Sequence, residues 1–303
     1  MFPRILSSLI QSTAWHTLLI LTVAREGLMG FMALTLLLMG VPEKTILIGF
    51  LFLFLGNIVF LNIAGYLQAR YQVIILRVLI LLGSVSMFAF SIVDQGLAPY
   101  FFFLGVFLIA SVKELYYPES VSSLEVNAER LKLPLSTVVA ASTVVTGGML
   151  SITMPIFGLA ISSSVNNLIY LTLFLSILIL LHLCKGIVGV DKRENHSPPV
   201  SFILSNEVKR MLLFVFFSNA ISIFGSRFLM PLLVLTVTKE FGIAQDSFKY
   251  LGLLISFAVL ITLVGNSLKK RKVKDRELMN YGYYGALISW MFIAGAMFLM
   301  SLG

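Results

Sequence analysis

Apolar residues run along this chain in long unbroken blocks separated by short polar turns. A hydrocarbon core about 30 Å thick needs roughly 20 apolar residues in helical form to cross it. Blocks of that length are Trp15–Met39, Thr45–Leu67, Val73–Val93, Leu97–Pro118, Pro134–Ala160, Asn166–Ile187, Met211–Val237, Tyr250–Leu268 and Asn280–Leu302. Lipid offers the backbone no water partner, which leaves helices or a closed barrel as the ways to cross. Runs such as Ile46–Phe54 and Leu171–Leu181 lack the alternation of a barrel strand. The pattern predicts an all-α polytopic membrane protein with about nine spans.

Composition agrees. Hydrophobic residues make up 58% of the 303 positions, charged residues 12%, and the mean hydropathy is +0.98. Soluble domains carry roughly twice that charged fraction. The first span is too long for the core of a signal peptide and is read as a permanent one. Cys184 is the one cysteine, so neither an intramolecular disulfide nor a thiol metal site is expected. His16, His182 and His196 lack ligand spacing, and no metal or other cofactor is expected.

The net charge of +8 changes the picture only through its distribution. With a cytoplasmic N-terminus, one set of turns holds Arg4, Arg70, Arg77, Arg130, Lys132, Lys185, Lys192, Arg193, Lys209 and Arg210, together with the cluster Lys269, Lys270, Arg271, Lys272, Lys274 and Arg276. The opposite turns hold Lys44, Lys239 and Lys249. Sixteen cations against three is the positive-inside bias that sets membrane topology. The run Lys269–Lys272 then anchors to anionic headgroups, and nucleic acid is not an expected partner.

The longest polar stretch, Gly189–Asn206, carries mixed charge and the pair Pro198-Pro199, and it reads as a cytoplasmic linker. It divides residues 1–188, with six spans, from residues 207–303, with three. The second span ends in Gly65-Tyr66-Leu67-Gln68-Ala69-Arg70 and the eighth in Gly265-Asn266-Ser267-Leu268-Lys269. Each glycine stands at a cytoplasmic helix end before a basic turn, as in the internal repeats of secondary transporters.

These features resemble the major facilitator superfamily, and within it the drug and macrolide efflux branches. Gly65 and Arg70 match the gating-loop signature of that family, whereas Ala69 stands at its acidic position and Gln72 and Val73 at later glycine and basic positions. In the fifth span Pro155 and Gly158 match an exporter-type motif, and Met154 and Leu159 depart from it. The resemblance implies two six-span halves around a midplane site, with the second half here incomplete by about three helices. It also implies a small-molecule substrate and protons as partners; the short loops suit a bacterial cytoplasmic membrane, and ATP is not an expected partner.

Few ionisable residues lie deep in the spans. Arg25 and Glu26 fall near the middle of the first, where a charge costs about 2.5–3.5 kcal/mol on the mildest scale. They share a broad face with Thr22, Met29 and Ala33, beside Gly27 and Gly30, which allow a bend or close packing. Arg227 lies equally deep in the seventh span beside the stripe Asn219, Ser222 and Ser226. It is read as a counter-ion of Glu26, an anionic-substrate contact or a structural group. Lys113 and Glu114 are placed near enough to a helix end to snorkel. Asn57 and Asn62 are candidate substrate contacts or interhelical amides. Small residues at Ser136, Ala140, Thr143, Gly147, Ser151 and Gly158 mark a packing seam on the fifth span.

No phosphate-binding glycine loop, H-E-x-x-H or G-x-S-x-G pattern occurs, so an ATP-driven pump or a hydrolase is not expected. The expected function is secondary transport, proton-coupled efflux of a small amphipathic compound, with Glu26 as the proton-coupling group. A carboxyl held between burial and a neighbouring cation can change its proton occupancy when substrate arrives. The rival is a non-transporting membrane protein, either an accessory subunit or the inactive remnant of a transporter.

Overall fold

Among residues 2–50, 53, 60, 69–94, 96–184 and 225–268, which the computed structural model describes, every regular element is helical. They are α1 (Phe2–Ile10), α2 (Thr13–Leu38), α3 (residues 43–50), α4 (Ala69–Phe90), α5 (Ala98–Leu131), α6 (Leu135–Ser163) and α7 (Asn166–Cys184). A π-helical turn (Gly225–Leu229) leads into α8 (Met230–Glu240), and a 3-10 turn (Ala244–Asp246) leads into α9 (Ser247–Leu268). The linker Gly189–Asn206 and the expected span Asn280–Leu302 lie outside the described residues, as do most of Thr45–Leu67 and the first part of Met211–Val237.

Five described segments are long and apolar enough to cross a bilayer: Thr13–Leu38, Tyr71–Phe90, Thr137–Ser163, Asn166–Cys184 and Ala244–Ile261. Their outward faces show what surrounds them. On α4, Ile74, Val78, Leu81, Val85 and Phe88 are each about half exposed, at spacings of one helical turn. On α7, Tyr170, Phe174, Ile177 and Leu181 repeat the pattern, and on α9 Leu253, Phe257 and Ile261 do so. Contiguous apolar stripes of this size are unstable in water and suit lipid tails. The molecule is an all-α membrane protein.

The core lies on α2. Every residue from Gly27 to Leu36 on that helix is buried, so α2 is enclosed on all sides. Around its C-terminal half pack Phe102, Val106 and Ile109 of α5, Met154 and Phe157 of α6, and Phe248 and Leu251 of α9. Around its N-terminal half pack Leu76 and Ile80 of α4, Val112 and Leu115 of α5, and Ile179 of α7.

One expected boundary is corrected. The fourth span was expected to end at Pro118, yet α5 continues to Leu131. Tertiary contacts outweigh the loss of one backbone hydrogen bond at proline. Beyond Pro118 the helix buries Leu124 and Ala128 against Ile5 and Leu9 of α1 and Val138 of α6. Ser8 Oγ donates to Asn127 Oδ1 at 2.7 Å, which ties α1 to the extension. Lys132, with φ 53°, then ends the helix by donating its N–H to Ala128 and Glu129 carbonyls.

The expected small-residue seam of α6 faces α9, the helix it touches most extensively. A Cβ on Gly252 would lie 2.6 Å from the Met154 carbonyl oxygen and 3.3 Å from the Gly158 Cα, so the two backbones meet there without side chains between them. Further along, Ser256 Oγ donates to the Ser151 carbonyl at 2.5 Å. Gly252→Ala should therefore cost more than the roughly 1–3 kcal/mol of ordinary overpacking, because backbone cannot rotate aside. Gly148→Ala is the control, since a Cβ there meets nothing within 4 Å. Thermal unfolding of the detergent-purified protein should show a lower midpoint for Gly252→Ala alone; equal midpoints would misplace the seam.

Candidate functional site

Glu26 lies near the midpoint of α2, and Arg227 reaches it from the π turn before α8. The Arg227 Nη2 donates to Glu26 Oε2, and its Nη1 donates to the Glu26 backbone carbonyl at 3.2 Å. The two side chains are only 14% and 21% exposed for Arg227 and Glu26 respectively. Two local features make this pairing possible. A Cβ on Gly30 would sit 3.1 Å from Arg227 Nη1, so the missing side chain gives the guanidinium its path over the α2 backbone. The π turn widens the helix where Arg227 leaves it, a geometry frequent at functional positions.

The pair opens onto a cavity of about 500 Å3 lined by α2, α5, α6, the π turn, α8 and α9. That volume lies within the roughly 300–1,000 Å3 usual for small-molecule sites. Thr22, Lys113, Ser142, Thr143, Thr146 and Ser226 supply polar lining besides the pair, and the remainder is apolar, including Leu18, Leu124, Leu150, Met154, Met230 and Ile255. Along α6 the cavity runs from Met154 to Val139, roughly 22 Å at the α-helical rise. Beyond the pair it stops. Phe31 and Leu34 are fully buried there, and the Phe31 and Phe248 rings lie 6.2 Å apart. The cavity thus reaches toward the end of the bundle where α5 turns into α6, and packed side chains close the other end.

The structure brings together Glu26, Arg227 and Ser226, and Arg25 stands beside them, its charge repelling that of Arg227. Thr22, Met29 and Ala33 of the same face are buried in the bundle. Gly27 serves close packing, since a Cβ there would lie 2.5 Å from the Phe157 ring. Pro155 lies inside α6 and Gly158 at the α9 seam, and neither is among the residues that line the cavity. Arg70 falls in the first turn of α4. Asn57, Asn62, Gly65, Asn219 and Ser222 lie outside the described residues. Gln72 is fully buried, and its amide donates to the Leu115 carbonyl, so it ties α4 to α5.

Lys113 lines the cavity together with Thr22 and Glu26, and it closes the apolar stretch Ala98–Lys113 of α5. Trp15 was overlooked; its Nε1 donates to Ser142 Oγ at 2.9 Å and fixes the mouth of the cavity. Among the described residues no group of three His, Cys, Asp or Glu side chains is placed to hold a metal.

Breaking a partly buried pair by removing one member should cost about 3–5 kcal/mol, whereas removing both costs less. Arg227→Met is therefore expected to lower the unfolding midpoint more than the double variant Glu26→Gln/Arg227→Met. Additive losses in that double-mutant cycle would show that the two groups do not interact.

Neither a protein-family model, nor a characterised protein, nor a solved structure matches this chain.

Proposed function

We propose that the protein is a secondary active transporter of a small amphipathic compound, coupled to protons and similar in plan to the major facilitator superfamily. One observation carries this reading. An ion pair between residues 201 positions apart closes the inner end of an amphipathic cavity that opens toward one end of the bundle. A carrier needs a site reached from one side at a time, and a charged link whose making and breaking accompanies the change of side. Glu26 meets the second need. Protonation neutralises its carboxylate and weakens its hold on Arg227, so proton occupancy and the contact between the two parts of the bundle are linked.

The bundle halves would rock about the α6–α9 seam, where backbone meets backbone. Efflux is the direction that the family resemblance adds to this reading. The charge bias of the turns puts the mouth of the cavity on the cytoplasmic side.

Two experiments test these statements. In proteoliposomes under an imposed pH gradient, Glu26→Gln should abolish proton-driven flux while leaving insertion intact, because the amide keeps the size but exchanges no proton. Undiminished flux in the variant removes Glu26 from the coupling; no flux in wild type over a broad panel favours the non-transporting rival. For orientation, cysteines at Glu129 and at Phe241, which is 75% exposed, would be introduced into a Cys184→Ala background. A membrane-impermeant maleimide should label the 241 position in intact cells and spare the 129 position; the opposite pattern inverts the topology.

A further inference from the structure

From the register of two helices, we infer that the corner where α1 meets the end of α5 binds an anionic phospholipid, its phosphate held between Arg4 and Arg130. Neither residue lines the cavity, so the site does not rest on the transport reading. The start of the chain runs antiparallel to α5 along a ladder of polar contacts. Tyr116 Oη donates to the Ala14 carbonyl at 3.3 Å, the Ser12 and Ser123 hydroxyls meet at 2.9 Å, and Ser8 Oγ donates to Asn127 Oδ1 at 2.7 Å. One further turn brings Arg4, four residues before Ser8, level with the end of α5. Arg130 stands there on the face of Ser123 and Asn127, at positions i, i+4 and i+7. Leu131 packs onto the cluster that holds Ile5, so the two helices stay together this far.

The ladder therefore ends on two cations. Both are exposed, and neither guanidinium makes a hydrogen bond or ion pair among the described residues. The acids of this end lie elsewhere. Glu125 and Glu129 fall on the far side of α5, where they line a separate cleft with Lys132. Buried Glu119 lies eleven residues before Arg130, roughly 16 Å along the helix. Two neighbouring guanidiniums repel unless an anion lies between them, and phosphate oxygens match their planar forks. Depth decides the source of the phosphate. Ile5 and Leu9 pack against Val138 and Ala141, at the start of the spanning segment Thr137–Ser163. Arg4 and Arg130 thus stand at the edge of the apolar layer, where headgroups lie. Phe2, Ile10 and Val126, each roughly half exposed, add apolar surface at the same end. A phospholipid supplies both the phosphate and the tails that cover such surface.

The test uses the full chain in a neutral maltoside detergent, with bound adducts counted by native mass spectrometry. Three probes are titrated: dioleoylphosphatidylglycerol, dioleoylphosphatidylcholine, which has the same tails and no net charge, and glycerol phosphate, which has no tails. Phosphatidylglycerol should bind most tightly of the three. Arg4→Gln and Arg130→Gln should each weaken it on the order of five-fold, the factor that one basic residue contributes at an anionic lipid surface. Arg130→Lys, which keeps the charge, should retain most of the affinity. Lys132→Gln makes the same change in net charge beside Glu125 and Glu129, and should leave the affinity as it is. Equal binding of the two phospholipids, unchanged affinity in Arg130→Gln, or equal losses in Lys132→Gln and Arg130→Gln would overturn the site. Glycerol phosphate bound as tightly as phosphatidylglycerol would overturn the lipid as its occupant.

Discussion

A charge in the middle of an apolar bundle must find a partner, and here Glu26 and Arg227 answer that demand for each other. Each alone would be an uncompensated charge far from water. Together they require that the π turn lie against the centre of α2, although the two residues stand 201 positions apart. Other features follow from that requirement. Gly30 lets the guanidinium lie close over the α2 backbone, and the π turn Gly225–Leu229 widens the helix where Arg227 leaves it. The segments after the linker are thereby held on the first span, which is why α2 is enclosed on every side. This charge contact and the α6–α9 seam together set how the later helices meet the earlier ones.

The same contact marks the boundary between two kinds of packing. On one side of it Phe31, Leu34, Phe102 and Phe248 fill the space among the helices, and Gly158 meets Gly252 backbone to backbone. On the other side threonine, serine and glycine on α6 line an open cavity. The difference lies in side-chain volume. Thr143, Thr146 and Gly147 occupy α6 where Phe157 and Ile161 stand further along, and short side chains do not fill the gap to α2 and α5. An end that is tightly filled and an end that is open are what a site reached from one side at a time requires. The seam at Gly158 and Gly252 supplies the close contact about which such a bundle can tilt.

Much of the fold was legible in the chain because lipid imposes one simple rule on helices: they must be long and apolar. The blocks Pro134–Ala160 and Asn166–Ile187 became α6 and α7 within a few residues. The small-residue stripe on α6 announced a close neighbour, since such stripes exist to admit one, but it did not say that the neighbour is α9. Pairing across 105 positions, as between Ser151 and Ser256, leaves no local mark. The candidate site was legible in its ionisable members, whose expense in a span draws attention to Arg25, Glu26 and Arg227. The length of α5 escaped because proline at 118 argues locally for an early stop. Packing of Leu124 and Ala128 against α1 decided otherwise, and no local rule contains that contact.

The Glu26–Arg227 pair lines an open cavity, which separates it from an ion pair enclosed by packing. One guanidinium is enough to neutralise Glu26 and join two helices. The chain holds 22 Lys and Arg residues, and most of them fall at the edges of or between the apolar blocks of the sequence. Arg25, Arg77, Lys113 and Arg227 lie within helical segments instead; Arg77 donates to the Leu183 carbonyl at 2.7 Å, and Lys113 and Arg227 line the cavity. A fold that needed only cohesion would be better served by apolar residues of similar volume at two of these positions, because like charges repel and each must be desolvated. An ionisable group kept at that cost inside a membrane bundle is read as functional by default.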